Sequence, residues 1–328
     1  TVLTAITPNA KGYGRIIRRE SGEVLKIVEH KDATEEERKI REINAGIYCF
    51  DAQALFSALA KVTNDNAQGE YYLPDVLGIL RDAGEKIWAV VADNYESTLG
   101  INSRSQLAVA ERILRRRKVE ELMADGVTIM DPHTTFIDAE VHVGMDTVIY
   151  PFTFLEGVTV IGEDCCIGPH VRFQNTVVGD GVKAHYVYAH DADVESGTDL
   201  GQFNHIRPDS HLGAGVKLGN FVEVKNSDIG AGSKLPHLSY IGDCDMGEHV
   251  NMGCGTITVN YDGRNKFRTV IGDNAFVGCN SNLVAPVALG ENSYVAAGST
   301  ITRDVPAGTL AVARARQKEI EGWRDKRR

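Results

Sequence analysis

The stretch Val143–Phe173, VGMDTVIYPFTFLEGVTVIGEDCCIGPHVRF, places an aliphatic or aromatic residue at every sixth position: Val143, Ile149, Leu155, Ile161, Ile167 and Phe173. After a slip the series resumes at Val194, Leu200, Ile206, Leu212, Leu218 and Val224. Ile229, Leu235 and Ile241 continue it in a shifted register, and Ile271, Val277, Leu283, Leu289, Val295 and Ile301 close it. Glycine often follows directly, as in Ile161-Gly162, Leu218-Gly219 and Val277-Gly278. A six-residue period fits neither an α-helix nor a simple strand alternation; it is the hexapeptide signature of a parallel β-helix. Each hexad supplies a short strand and a corner, and three hexads make one triangular coil. The aliphatic residue fills the prism, while glycine and small polar residues take the corners. So narrow a prism has little interior per residue, and its outer faces favour self-association. The period breaks between Val259 and Arg268, which predicts a loop ejected from the rigid coils, a usual place for binding groups.

Outside the periodic region the chain reads differently. Residues 1–101 read as mixed α/β, with strands at Val24–Val28 and Ile47–Phe50 and helices at Ala52–Ala60 and Pro74–Ala83. The opening Thr1-Val2-Leu3-Thr4-Ala5 reads as a strand entered partway through a domain and not as a signal peptide. One long linker helix is expected over 102–126, with Ser103 as N-cap, an apolar stripe at Leu107, Ala110 and Leu114, and Gly126 as its stop. Its basic run Arg115–Lys118 reads as a solvated face. Residues 127–328 then form the β-helix domain with a C-terminal tail; Arg314–Arg328 holds seven basic and three acidic residues, which suits a solvated helix.

The 328 residues are 43% hydrophobic and 24% charged, which excludes wholesale disorder. With 35 basic and 45 acidic side chains the net charge is −10, which argues against non-specific nucleic-acid binding. No apolar stretch approaches the roughly 18 residues of a membrane span. Six cysteines (Cys49, Cys165, Cys166, Cys244, Cys254, Cys279) lack disulfide-framework or paired C-x-x-C spacing, so free thiols in a cytoplasmic protein are expected.

Several runs together resemble one family. They are Gly12–Arg15 (GYGR), Ile27–Asp32 (IVEHKD), Glu42–Gly46 (EINAG), Asn66–Tyr72 (NAQGEYY), Gly219–Lys225 (GNFVEVK), His237–Asp243 (HLSYIGD) and Thr256–Gly263 (TITVNYDG). The chain is similar to the bacterial bifunctional N-acetylglucosamine-1-phosphate uridyltransferase / glucosamine-1-phosphate acetyltransferase family over essentially its whole length. The resemblance implies the back part of a Rossmann-like uridyltransferase domain, then a complete left-handed β-helix acetyltransferase domain working as a homotrimer. It also implies N-acetylation of glucosamine-1-phosphate by acetyl-CoA, on the route to UDP-N-acetylglucosamine for cell-wall polymers. The Gly-rich nucleotide loop and a downstream metal-binding Asp of the family have no counterpart here, so uridyl transfer is expected to be absent.

Residue by residue, the resemblance implies His237 as general base, a role an imidazole near its normal pKa suits. It implies Arg207 and Lys225 for the sugar phosphate, and Tyr240 and Asn251 for the amino sugar. A planar Arg fork and a Lys point charge both suit that anion. For acetyl-CoA it implies Cys254, Asn260, Tyr261, Cys279, Ala297 and Arg314, the two thiols as small side chains rather than nucleophiles. The basic tail Arg314–Arg328 suits a cover over the coenzyme phosphates of a neighbouring subunit as well as it suits a solvated helix. In the uridyltransferase half it implies Gly14, Glu29, Asn44 and Asn102 at the UDP-sugar, Asn102 also at Mg²⁺. Two rivals stand beside this reading: a zinc lyase of the γ-carbonic-anhydrase type using His185, His190, His205 and His211, and a non-catalytic trimeric scaffold.

Overall fold

The computed structural model describes residues 1–324 and divides into two compact units, Thr1–Ile113 and Leu114–Arg328. In the first, strands β1 (Val2–Ile6), β2 (Arg15–Arg18), β3 (Val24–Val28), β4 (Glu42–Tyr48) and β5 (Ala89–Val91) form one sheet in the order β3-β2-β4-β1-β5. Only the β1–β5 pair is parallel. Val2, Ile16, Val24, Val76, Leu77 and Leu80 make its core. Asp51 caps the helix Ala52–Leu59 by accepting the Ala54 N–H, and Pro74 opens the helix Asp75–Asp82. The strand expected at Ile47–Phe50 instead spans Glu42–Tyr48. Its polar front end is held by tertiary partners, since Thr4 and Arg18 both bond the Glu42 carboxylate.

The long helix runs Arg104–Ala124, and the Ser103 hydroxyl accepts the Gln106 N–H as its cap. The expected stripe is wrong: Leu107 and Leu114 are exposed, while Lys118, Val119 and Leu122 are buried. Val119 and Leu122 belong to the β-helix core, so packing and not the local pattern chose the buried face. The basic run is likewise more than a solvated face. Arg115 lies over the Phe136 ring, 4.2 Å from its centroid, and Lys118 bonds Glu121 at 2.8 Å.

From Thr128 the chain is a parallel β-solenoid of about ten turns. One face is a nine-stranded parallel sheet whose steps run His142, Val160, Val177, Asp193, His211, Asp228, Asp245, each 16 to 18 residues on. The next step, Asp245 to Val270, takes 25 residues because the predicted loop is inserted there. The six-residue series points inward: Leu155, Ile161, Ile167, Phe173, Leu200, Ile206, Leu212 and Leu218 are all buried. Each contributes roughly 1.5–3 kcal/mol by leaving water. Buried corner hydroxyls satisfy backbone carbonyls, as Thr147 does on Gly162 at 2.8 Å and Ser233 on Gly247 at 2.9 Å. A coil this regular repeats its corners at fixed positions, which lines up side chains from different turns.

Candidate active site

Apart from Asn251, the predicted acetyl-transfer residues fall on two corners and the face between them. At the first corner Asn220 is the register partner of His237 in the next coil. Leu238 O accepts the Gly255 N–H at 2.9 Å, Cys254 O accepts Asn280 N–H at 2.7 Å, and Cys279 O accepts Gly298 N–H at 2.8 Å. Arg314 Nη1 donates to Ala297 O at 2.9 Å. His237, Cys254, Cys279, Ala297 and Arg314 therefore follow one another along a single corner. Glycines let the coils stack this tightly: a Cβ on Gly253 would sit 2.5 Å from Cys279 N, and one on Gly278 2.4 Å from Ala297 N. His237 is exposed.

The same corner continues away from His237 as an apolar ladder of Phe152, His170, Tyr186, Phe203, Phe221 and Leu238. All six have left-handed backbone, φ between 39° and 62°. Successive rings from Phe152 to Phe221 lie 4.9 to 5.5 Å apart. Bulky residues rarely adopt this conformation, so the ladder is strained as well as exposed.

At the second corner Arg207 Nη1 pairs with Glu223 at 2.9 Å, and Lys225 Nζ lies 3.7 Å from Asp243 Oδ1. Asn260 Nδ2 donates to Asp243 Oδ2 and lies 3.5 Å from Tyr240 Oη. Burial pushes the Asp243 carboxyl up. Hydrogen bonds from Asn226 and Asn260, with the charges of Lys225 and Lys266, outweigh that and hold it below the usual carboxylate range. The inserted loop is a tight turn: Asp262 Oδ1 accepts the N–H groups of Arg264 (2.7 Å) and Asn265 (2.6 Å), and Tyr261 bridges to Lys266. Tyr261 itself is exposed. Four of the predicted residues, Lys225, Tyr240, Asn260 and Tyr261, thus gather with Arg207 at this end. Asn251 does not join them within one chain; it pairs with Lys234 and Phe276 on another face. Sequence reasoning missed Glu223 and Asp243 as site residues, although each lies in a quoted run and Glu223 sits two residues before Lys225.

Residues 268–303 match the bacterial transferase hexapeptide (six repeats) family. The bifunctional protein GlmU of Brevibacillus brevis is 57% identical over 317 residues, 97% of this chain and 69% of that protein. GlmU of Geobacillus thermodenitrificans is 56% identical over 328 residues, 100% of this chain and 72% of its own length. The chain belongs to the bifunctional GlmU family. As a GlmU-family member it is a hexapeptide-repeat acetyltransferase of UDP-N-acetylglucosamine synthesis, with the family's left-handed β-helix. Among solved structures, LpxA from Bacteroides fragilis, a UDP-N-acetylglucosamine acyltransferase, is 16% identical over 54% of this chain and 69% of that chain, with a TM-score of 0.37. A superposition that loose adds nothing to the reading of the site.

The residues expected at the UDP-sugar lie in the first unit, where three of them meet. Gly14 O accepts the Asn44 N–H at 2.9 Å, and a Cβ on Gly14 would come within 3.0 Å of Glu29 Oε1. Burial, then Asp32 and Asp75, push the Glu29 carboxyl up, against the pull of Arg15. Glu29, Asp32, Asn66, Tyr72 and Asp75 line a cleft of about 210 Å³. Asn102 lies elsewhere, its N–H on Gln106 Oε1 at 2.7 Å ahead of the long helix. Magnesium takes hard oxygen ligands, carboxylates above all. Among the described residues no group of three or more His, Cys, Asp or Glu is arranged for a metal. The histidines of the zinc rival have other partners: His185 bonds Gly168 O, His190 and His205 both stack on Tyr188 at 5.1 Å, and His211 bonds Glu195 at 3.0 Å. All six cysteines are free, and burial pushes the Cys244 thiol up to about 12. No helix among the described residues is long and apolar enough to cross a membrane.

Proposed function

We propose that this chain transfers the acetyl group of acetyl-CoA to the amine of glucosamine-1-phosphate in the cytoplasm, at sites shared between the subunits of a homotrimer. The observation that carries the reading is the division of the candidate residues between two corners of one coil. His237 stands at one end of the strand segment that leads to Asp243, six residues on; at ~3.3 Å per residue the two corners are roughly 20 Å apart. A sugar phosphate cannot span that gap. A neighbouring copy that offers its second corner to the first corner of this one would close it.

In that arrangement Arg207 and Lys225 hold the phosphate dianion, and Glu223 and Asp243 keep the two cations in place before it arrives. Tyr240 of the same copy, with Asn251 from the facing one, orients the amino sugar. The corner Cys254–Cys279–Ala297 offers a smooth backbone track for the coenzyme arm, and Arg314 supplies positive charge at its end. Asn260 and Tyr261 reach the coenzyme from the inserted loop. His237 takes the proton of the attacking amine as the C–N bond forms; the thioester C–S bond then breaks and the coenzyme thiolate leaves. Cys254 and Cys279 form no acyl intermediate. The exposed ladder Phe152–Leu238 supplies the apolar cover that brings two copies together.

The test is release of free thiol from acetyl-CoA in the presence of glucosamine-1-phosphate. The reading predicts amine-dependent release with formation of N-acetylglucosamine-1-phosphate. A folded, pure chain that binds both compounds without turnover would contradict it and favour the scaffold.

A further inference from the structure

Asp243 is almost wholly buried, 4% exposed, and a carboxylate so placed persists only with partners. Its partners come from the coils before and after its own. Oδ1 accepts from Asn226 Nδ2 at 2.5 Å and lies 3.7 Å from Lys225 Nζ; Oδ2 accepts from Asn260 Nδ2. Its backbone reinforces one of these contacts and adds one more segment: the N–H donates to Lys225 O at 3.0 Å, and the carbonyl accepts from Thr269 N–H at 3.0 Å. Asn260 begins the inserted loop and Thr269 is the residue where the chain re-enters the coil. One residue therefore ties both ends of the loop and the lysine beside it.

The neighbouring glycine fits this arrangement. A Cβ on Gly242 would lie 2.4 Å from Tyr240 Oη and 2.8 Å from Asn260 Nδ2, so a side chain there would displace both groups, including the amide that bonds the carboxylate. Asp243 adopts φ 51°, a conformation Asp tolerates better than most residues. Buried as it is, its carboxylate has no free edge to offer a substrate.

We propose that Asp243 is a positioning residue that fixes Lys225 and Asn260 with one carboxylate, so that the sugar-phosphate cation and the coenzyme loop are held in register. The proposal rests on the substrate roles given above for Lys225 and Asn260. It goes beyond them in making the two substrate subsites share one support.

A double-mutant cycle on the purified full chain tests it, with Asp243→Asn, Lys225→Met and the double variant. Steady-state kinetics are read alongside melting temperature and oligomeric state. If Asp243 acts through Lys225, D243N raises KM for glucosamine-1-phosphate about tenfold and leaves kcat within about threefold. K225M raises the same KM at least as much, and the double variant matches K225M alone. D243N also raises KM for acetyl-CoA, through Asn260, whereas K225M does not. A D243N enzyme with a lowered melting temperature but both KM values of wild type would overturn the proposal, as would effects that multiply in the double variant. If D243N does not fold, Asn226→Ala removes one donor from the same carboxylate while leaving its charge. It is expected to raise both KM values about threefold, and wild-type values would overturn the proposal equally. Failure of the underlying reading looks different: wild-type protein would then not bind glucosamine-1-phosphate in a calorimeter.

Discussion

Leu238 O accepts the Gly255 N–H at 2.9 Å, and this one bond stacks the turn carrying His237 on the turn carrying Cys254 in the next coil, along one corner. The proposed base thus lies at the end of the proposed coenzyme track. His237→Ala should cost on the order of 10²–10⁴ in turnover with little change in acetyl-CoA affinity. Because the lost step is proton transfer in the transition state, kcat and kcat/KM fall together. Raising the pH should restore part of the rate by deprotonating the substrate amine in solution. A folded variant with wild-type kcat would remove His237 from the mechanism.

The aromatic ladder gives a second expectation. Phe203 and Phe221 stack at 5.0 Å, are exposed, and hold left-handed backbone that asparagine adopts with less strain. Phe203→Asn with Phe221→Asn should relax each coil and yet strip the cover between copies, at ~2 kcal/mol or more per aromatic anchor. Light scattering should show trimer giving way to monomer, with activity lost in parallel. A double variant that stays trimeric places the interface elsewhere.

Thiol reactivity maps the coenzyme track. Cys279 is exposed and Cys254 half-buried on the proposed path, whereas Cys165 and Cys244 are buried with thiols pushed up by desolvation. Residue-resolved alkylation should modify Cys279 and Cys254 and spare the buried pair. Acetyl-CoA should slow alkylation at Cys279 and Cys254 and leave exposed Cys49 unchanged. Equal alkylation rates with and without acetyl-CoA would move the coenzyme off this corner.

Asp243 also sets a pH dependence of stability. Its folded pKa is depressed, so its contribution is full above the unfolded value of about 3.9 and is lost as pH falls through the folded one. Wild-type protein should therefore lose stability in acid more steeply than Asp243→Asn, the two melting curves converging at low pH. Parallel pH profiles for the two proteins would show that the carboxylate carries no such linkage.

The solenoid was legible because its period has one physical cause, a prism interior that accepts one apolar side chain per hexad. The inserted loop was legible for the same reason, as a break in that period. Two kinds of feature were not. Leu107 and Leu114 looked like a buried stripe, but the helix buries Val119 and Leu122 because the solenoid end packs there, and no local pattern encodes that choice. Glu223 and Asp243 look like ordinary surface acids in one dimension; only parallel stacking of coils brings them against Arg207, Lys225 and Asn260. The ladder residues were hidden too, since Phe152, His170, Tyr186, Phe203 and Phe221 lie 16 to 18 positions apart and share no motif.

A site built from the His237 corner of one copy and the Lys225 corner of another is tested most directly by subunit complementation. Trimers reassembled from equal amounts of His237→Ala and Lys225→Ala chains are assayed well below the wild-type KM, beside each variant alone. A shared site regains both side chains wherever an intact His237 faces an intact Lys225, so the mixture should recover about a quarter of the wild-type rate. A mixture no more active than the mean of the two variants would mean that one chain supplies both residues, which contradicts the account.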